Sequence, residues 1–97
     1  MPVTHVTPAG GNVFADLGFS KDEAEALKIS SSLMTTIQDV IEERGLTVPE
    51  AAKRFGVPQA RIRRLLRGSI GEFTIDALVK MLTHAGMQVE VSVKAAA

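Results

Sequence analysis

A chain of 97 residues with 45% hydrophobic content is the size of one small domain and holds enough apolar material for a single core. It has no cysteine, which excludes a disulfide framework and a thiolate metal site. With no basic-then-apolar leader and no apolar run near about 18 residues, the expectation is a cytoplasmic protein with no membrane association. Eleven basic and eleven acidic side chains cancel formally, yet they are distributed unevenly. Residues 1–43 hold two basic and seven acidic side chains, residues 44–67 seven basic and one acidic, and residues 68–97 two basic and three acidic. A polyanion responds to the local field within about 8 Å at physiological salt rather than to the sum.

In chain order, the first dozen residues carry Pro2, Pro8 and the Gly10-Gly11 pair without helical period, and read as a flexible N-terminal arm, 1–12, ahead of a domain over 13–97. Ser20 and Glu23 have capping-box spacing and start a helix through Ala24 and Leu27, which the serines at 30–32 are expected to interrupt. The period returns with Leu33, Met34, Ile37, Val40 and Ile41 on one face and Gln38, Asp39, Glu42 and Glu43 elsewhere, until Gly45 offers a left-handed cap. Thr47 and Glu50 form a second capping box, Pro49 lies in the first turn, and Ala51, Ala52 and Phe55 face inward before Gly56 permits a sharp turn. Pro58 starts a further helix with its preset φ and Gly68 stops it. Thr74 caps the last, whose inward row is Ile75, Leu78, Val79, Leu82 and Ala85, ended by Gly86.

After Gly86 the period falls to two, with Met87, Val89, Val91 and Val93 alternating with Gln88, Glu90, Ser92 and Lys94. The expectation is therefore an all-α domain of five helices with one C-terminal β-strand, 87–93. A lone strand must pair its backbone, either with the stretch around Val3 to Val6 or with the same strand of a second subunit. Pairing between subunits is favoured, because its two-fold symmetry brings two copies of the helix before Gly68 together, and half-sites on DNA lie about 34 Å apart. A hairpin with the N-terminal arm is the alternative.

That helix carries Arg61, Arg63, Arg64 and Arg67 within seven consecutive positions and no acidic residue. At about 100° per residue, Ile62, Leu65 and Leu66 converge on one side while Gln59, Ala60, Arg63, Arg64 and Arg67 fan out on the other, with Arg61 on the flank. Like charges at i, i+3 and i, i+4 then repel without compensation inside the helix, so an anionic partner is implied. A solvated basic face is the blander reading. The helix and tight turn just before it favour a helix-turn-helix reader of double-stranded DNA.

Asn12-Val13-Phe14-Ala15-Asp16-Leu17-Gly18-Phe19, Leu46-Thr47 with Glu50-Ala51-Ala52, Gly56-Val57, Gln59, Arg61, Leu65 and Arg67-Gly68, closed by Phe73-Thr74-Ile75-Asp76-Ala77-Leu78, together resemble a small XRE-type, lambda-repressor-like helix-turn-helix family. HigA-like antitoxins are among its relatives, and the resemblance covers about residues 12–93. It implies an all-helical DNA-binding domain, usually dimeric, that represses transcription, often of its own operon beside a toxin gene. By position, Gln59, Arg61, Arg63 and Arg64 match the groove-facing stretch of the family's recognition helix. The chain departs from the family at three places: Val48 stands where a phosphate-gripping glutamine is usual, Pro58 replaces a capping serine or threonine, and Arg63 replaces a small serine. Arg63 and Arg64 incline the readout toward guanine O6 and N7.

Other chemistry lacks a constellation. His5 and His84 have no second ligand at metal spacing, the serines at 30–32 have no histidine or lysine base beside them, and the glycines at 10, 11, 18, 68 and 71 form no phosphate-cradling run. Asp39, Glu42 and Glu43 read as a solvated face. Phe14, Phe19, Phe55 and Phe73 read as core rather than as a base-stacking platform for single strands. The expected function is a dimeric, sequence-specific DNA-binding repressor without catalysis or cofactor. Arg63, Arg64 and Gln59 read base edges, Arg61, Arg67 and Lys53 grip phosphates, and Ala60 and Thr47 complete the contact surface. The alternative is a protein-binding antitoxin whose acidic first half or arm masks a basic toxin. The expected location is the cytoplasm, on the nucleoid when bound to DNA.

Overall fold

The computed structural model of the chain describes the backbone of residues 3–6 and residues 17–95 in full. Helix α1 spans Lys21–Glu43, α2 Val48–Phe55, α3 Gln59–Leu66 and α4 Ile75–His84, with a 3-10 turn at Ile70–Glu72 between the last two. Strands β1, Val3–Val6, and β2, Gln88–Val91, flank the helices in sequence.

Four α-helices replace the five expected, because the serines at 30–32 do not break α1. The Ser32 hydroxyl donates to the Lys28 carbonyl at 3.1 Å and the Thr36 hydroxyl to the Ser32 carbonyl at 3.0 Å, so the helix's own carbonyls satisfy these hydroxyls. Ser30 itself is buried, and the apolar row Ala24, Leu33, Met34, Ile37 and Ile41 continues along one face through the serine stretch. At the start of α1 the Ser20 hydroxyl accepts from the Glu23 amide at 3.2 Å and donates to the Glu23 carboxylate at 3.0 Å.

The core forms where α1 meets the three shorter helices. Leu33 and Ile37 of α1, Phe55 of α2, Ile62 and Leu65 of α3, and Leu78 and Leu82 of α4 are its largest fully buried side chains. Each such burial is worth about 1.5–3 kcal/mol relative to exposure. Phe73 joins this cluster. Phe19, expected in the core, is 43% exposed, and Leu66, expected on the inner side of its helix, is 44% exposed. Leu66 is the last residue of an eight-residue helix, where the row set by Ile62 and Leu65 has already run past the core.

The strand at the C-terminal end finds its partner within its own chain. β1 and β2 pair in parallel, with Val3 opposite Gln88, Thr4 opposite Val89, His5 opposite Glu90 and Val6 opposite Val91. The pairing shown is therefore the one with Val3–Val6 and not the favoured one between subunits, and its parallel sense replaces the hairpin, since parallel neighbours need a long crossover, here the helical body. β2 is shorter than the expected 87–93. Met87 and Val89 pack against the core, whereas Val93 is 89% exposed and continues past the ladder. Of the expected arm over 1–12, Val3–Val6 is this strand and the remainder lies outside the described residues, as do residues 12–16 with Phe14.

Two contacts hold the turn and helix that matter most. Gln38 of α1 donates through Nε2 to the Leu65 carbonyl at 2.7 Å, tying the end of α3 to the longest helix. Gly56 caps α2 in the left-handed conformation, φ 68°, and the ring of His84 lies against it. His84 Nδ1 is 3.1 Å from the Arg54 carbonyl; a carbonyl only accepts, so Nδ1 carries the proton. A Cβ on Gly56 would stand 2.7 Å from this ring. Gly56→Ala is expected to cost about 1–2 kcal/mol in urea unfolding for the left-handed backbone, with an added steric penalty. Repeating the substitution in a His84→Ala background should remove the steric part and leave the backbone part.

Candidate nucleic-acid interface

Thr47 caps α2 and completes a reciprocal box, its hydroxyl accepting from the Glu50 amide at 3.3 Å while its own amide donates to the Glu50 carboxylate at 2.9 Å. The backbone amide bond from Thr47, and then the bond from its side chain, hold the Glu50 carboxyl below its ordinary value. The sole acidic residue of the basic segment 44–67 is thereby fixed at a helix start, where the dipole favours it. Gly56 then turns the chain, and the Val57 amide bonds back to the Ala52 carbonyl at 3.0 Å. Pro58 stands one residue outside α3 as its cap, φ −63° and ψ 153°, and supplies no side-chain bond to the first amides.

With Ile62 and Leu65 fully buried, α3 has a fixed rotation about its axis. Gln59, Ala60, Arg63, Arg64 and Arg67 are exposed and Arg61 is half-buried, as the angular spacing dictates. The arginines have different local partners. Arg63 donates through Nη2 to the Gln59 side-chain oxygen at 3.3 Å, a contact one turn apart that joins two groups able to read base edges without neutralising the charge. Arg61 lies over the Phe73 ring, its guanidinium carbon 4.6 Å from the centroid. Arg64 approaches Glu72 of the 3-10 turn, Nε to carboxylate 3.9 Å, with about half of each side chain exposed. Arg67 ends the helix as its exposed C-cap.

Thr47 and Lys53 are exposed on α2. Among the described residues no hydrogen bond or ion pair joins them to the α3 side chains. Three further residues shape the face without having been assigned to it by the sequence: Gln38, read as a polar position of its helix, Phe73, read as core, and Glu72. Gln38 is far from α3 in sequence, and the separation of Arg64 from Glu72 exceeds any helical neighbour rule. The repulsion along α3 is thus partly compensated, by a carboxylate from outside the helix.

The described residues contain no group of histidine, cysteine, aspartate or glutamate able to hold a metal ion, and no helix among them is long and apolar enough to cross a membrane. In sequence comparison, residues 13–94 match a helix-turn-helix domain family. No curated protein and no solved structure matches the chain.

Two substitutions test this description. Arg61→Ala is expected to lower stability by about 0.5–1 kcal/mol in chemical denaturation, through the lost Phe73 contact. For Glu50 the folded state lowers the pKa, so the charged form is favoured on folding. Its contribution is complete above the unfolded-state value and is lost as pH falls through the folded one. Glu50→Gln should therefore show a shallower acid-side fall in Tm than the wild-type chain in a pH series of thermal melts.

Proposed function

Because the chain belongs to the helix-turn-helix domain family, whose fold implies a DNA-binding regulator, we propose that it is a sequence-specific repressor of the XRE type, acting as a dimer on double-stranded DNA. The observation that carries this reading is the exposed face of α3, where Gln59 and Arg63 are already joined at 3.3 Å beside Arg64 and Arg67. An Arg fork fits guanine O6 and N7, and a glutamine fits adenine N6 and N7. Gln59, Arg63 and Arg64 read bases. Ala60, small and exposed, allows close approach and an apolar contact with a thymine methyl. Arg67, Lys53 and the Thr47 hydroxyl contact phosphates. Arg61, engaged with Phe73, adds positive charge from the flank.

Dimerisation in this reading uses the C-terminal strand β2 on the side opposite β1, extended by the exposed Val91 and Val93. A second reading, compatible with the first, is that the protein is a HigA-like antitoxin that also captures a basic toxin. The exposed acidic side chains Asp22, Glu23, Glu25, Asp39, Glu42 and Glu43 of α1 favour it, since they suit a basic partner. The site of action is the nucleoid, in the cytoplasm.

Fluorescence anisotropy over a salt series tests the leading proposal, using duplex from upstream of the protein's own gene and a scrambled duplex. The native duplex should bind about a thousandfold more tightly or better, with two chains per site. Arg63→Ala should cost about 1–3 kcal/mol on the native duplex and relax base preference, whereas Lys53→Ala should weaken both duplexes alike and reduce the salt slope by about one. An Arg63→Ala variant within about twofold of wild type on the native duplex would remove Arg63 from readout.

A further inference from the structure

Residues 70–73 form one short segment that engages two of the arginines of α3 from the same side of the chain. Glu72 approaches Arg64 and its neighbour Phe73 lies under Arg61. The segment is a firm support: Phe73 is buried in the core, Ile70 packs against it, and the Glu72 and Phe73 amides bond back to the Ser69 and Ile70 carbonyls at 3.1 and 3.3 Å. Glu72 is therefore presented to Arg64 from anchored backbone, not from a loose loop.

A carboxylate at this place opposes general attraction to DNA, because it subtracts charge beside a face that must meet phosphates. Its position relative to the guanidinium fork suggests what it supplies instead. The nearest approach of Glu72 is to Nε, the inner edge of the fork, at 3.9 Å, an ion-pair distance rather than a hydrogen bond. An arginine has five N–H donors in a rigid plane, so a carboxylate that attracts the inner edge biases the outer two to point away from it. Those two are the donors that an end-on bidentate contact with guanine O6 and N7 requires.

We propose that Glu72 is a positioning residue for base readout: it orients the Arg64 guanidinium for one guanine and trades general DNA affinity for selectivity at that base pair. This rests on the reading of α3 as the recognition helix. The role is separable from simple charge competition, which would lower affinity for every duplex by the same factor and leave base preference unchanged.

The experiment is selection from a randomised duplex library, with sequencing of bound DNA, on the full chain as wild type, Glu72→Gln, Arg64→Ala and the double variant, alongside titration of a scrambled duplex. Arg64→Ala should lose the preference for one guanine. Glu72→Gln should weaken preference for that same guanine by about threefold or more, while binding the scrambled duplex as tightly as wild type or more tightly. The double variant should show the base preferences of Arg64→Ala with no further change. Glu72 is half-exposed, so an unchanged Tm for Glu72→Gln will separate readout from folding. The proposal is overturned if Glu72→Gln tightens selected and scrambled duplexes equally with the guanine preference intact, or if it alters a position that Arg64 does not govern. A wild-type library that enriches no motif would instead overturn the underlying reading of sequence-specific recognition, and this inference with it.

Discussion

Helix α3 depends on the core for its existence. Eight residues fall short of the roughly 12–15 that an isolated helix needs in water, and the arginines at 61, 64 and 67 repel one another at single-turn spacing. Burial of Ile62 and Leu65 in the core, with α3 packed on α2 and α1, offsets both penalties, and the Gln38 bond to the Leu65 carbonyl fixes the end that carries the most charge. The same two apolar residues set the rotation of the helix, and so decide which polar side chains face outward. Stability and the geometry of the exposed face are therefore one constraint. Loosening the packing of Ile62 or Leu65 would turn the face as well as weaken the fold.

The positive charge of the segment is divided into different local environments. Arg61 is held over an aromatic ring, Arg63 shares a neutral acceptor with its own helix, Arg64 faces a carboxylate, and Arg67 is at the open end. A net count treats these four as equivalent, but a groove would not. Arg63 and Gln59 are the pair whose mutual contact engages one N–H and one amide oxygen and leaves the positive charge unneutralised.

Much of this face was legible in the sequence because it depends on local rules. The angular spacing of residues 59–67, the Thr47 and Glu50 box, and the turn at Gly56 each involve neighbours within one or two turns, and each is present. The misreadings involve partners distant in sequence or conditional on packing. Serines interrupt a helix only when their hydroxyls compete with its backbone, and in α1 the hydroxyls of Ser32 and Thr36 bond back to it instead. The alternating pattern of β2 identified a strand, but no pattern within it specifies a parallel partner from the opposite end of the chain. Glu72 and Phe73 lie beyond a glycine-bounded turn, and only the fold returns them to α3. Phe19 and Leu66 share the composition of core residues, yet Phe19 precedes α1 and Leu66 is the last residue of α3, and both are exposed.

The parallel pairing of β1 with β2 imposes an order on assembly. During synthesis β1 leaves the ribosome before any helix, whereas its partner follows all of them, so this ladder must wait until the helical body has been made. The contacts among α2, α3 and α4 close shorter loops, while the β pairing spans nearly the whole described chain and carries the largest loop-closure cost. Helix α3 can consequently be seated while both strands still lack their ladder partner. Until β2 arrives, the backbone amides and carbonyls of Val3–Val6 lack the ladder partner that the folded chain gives them.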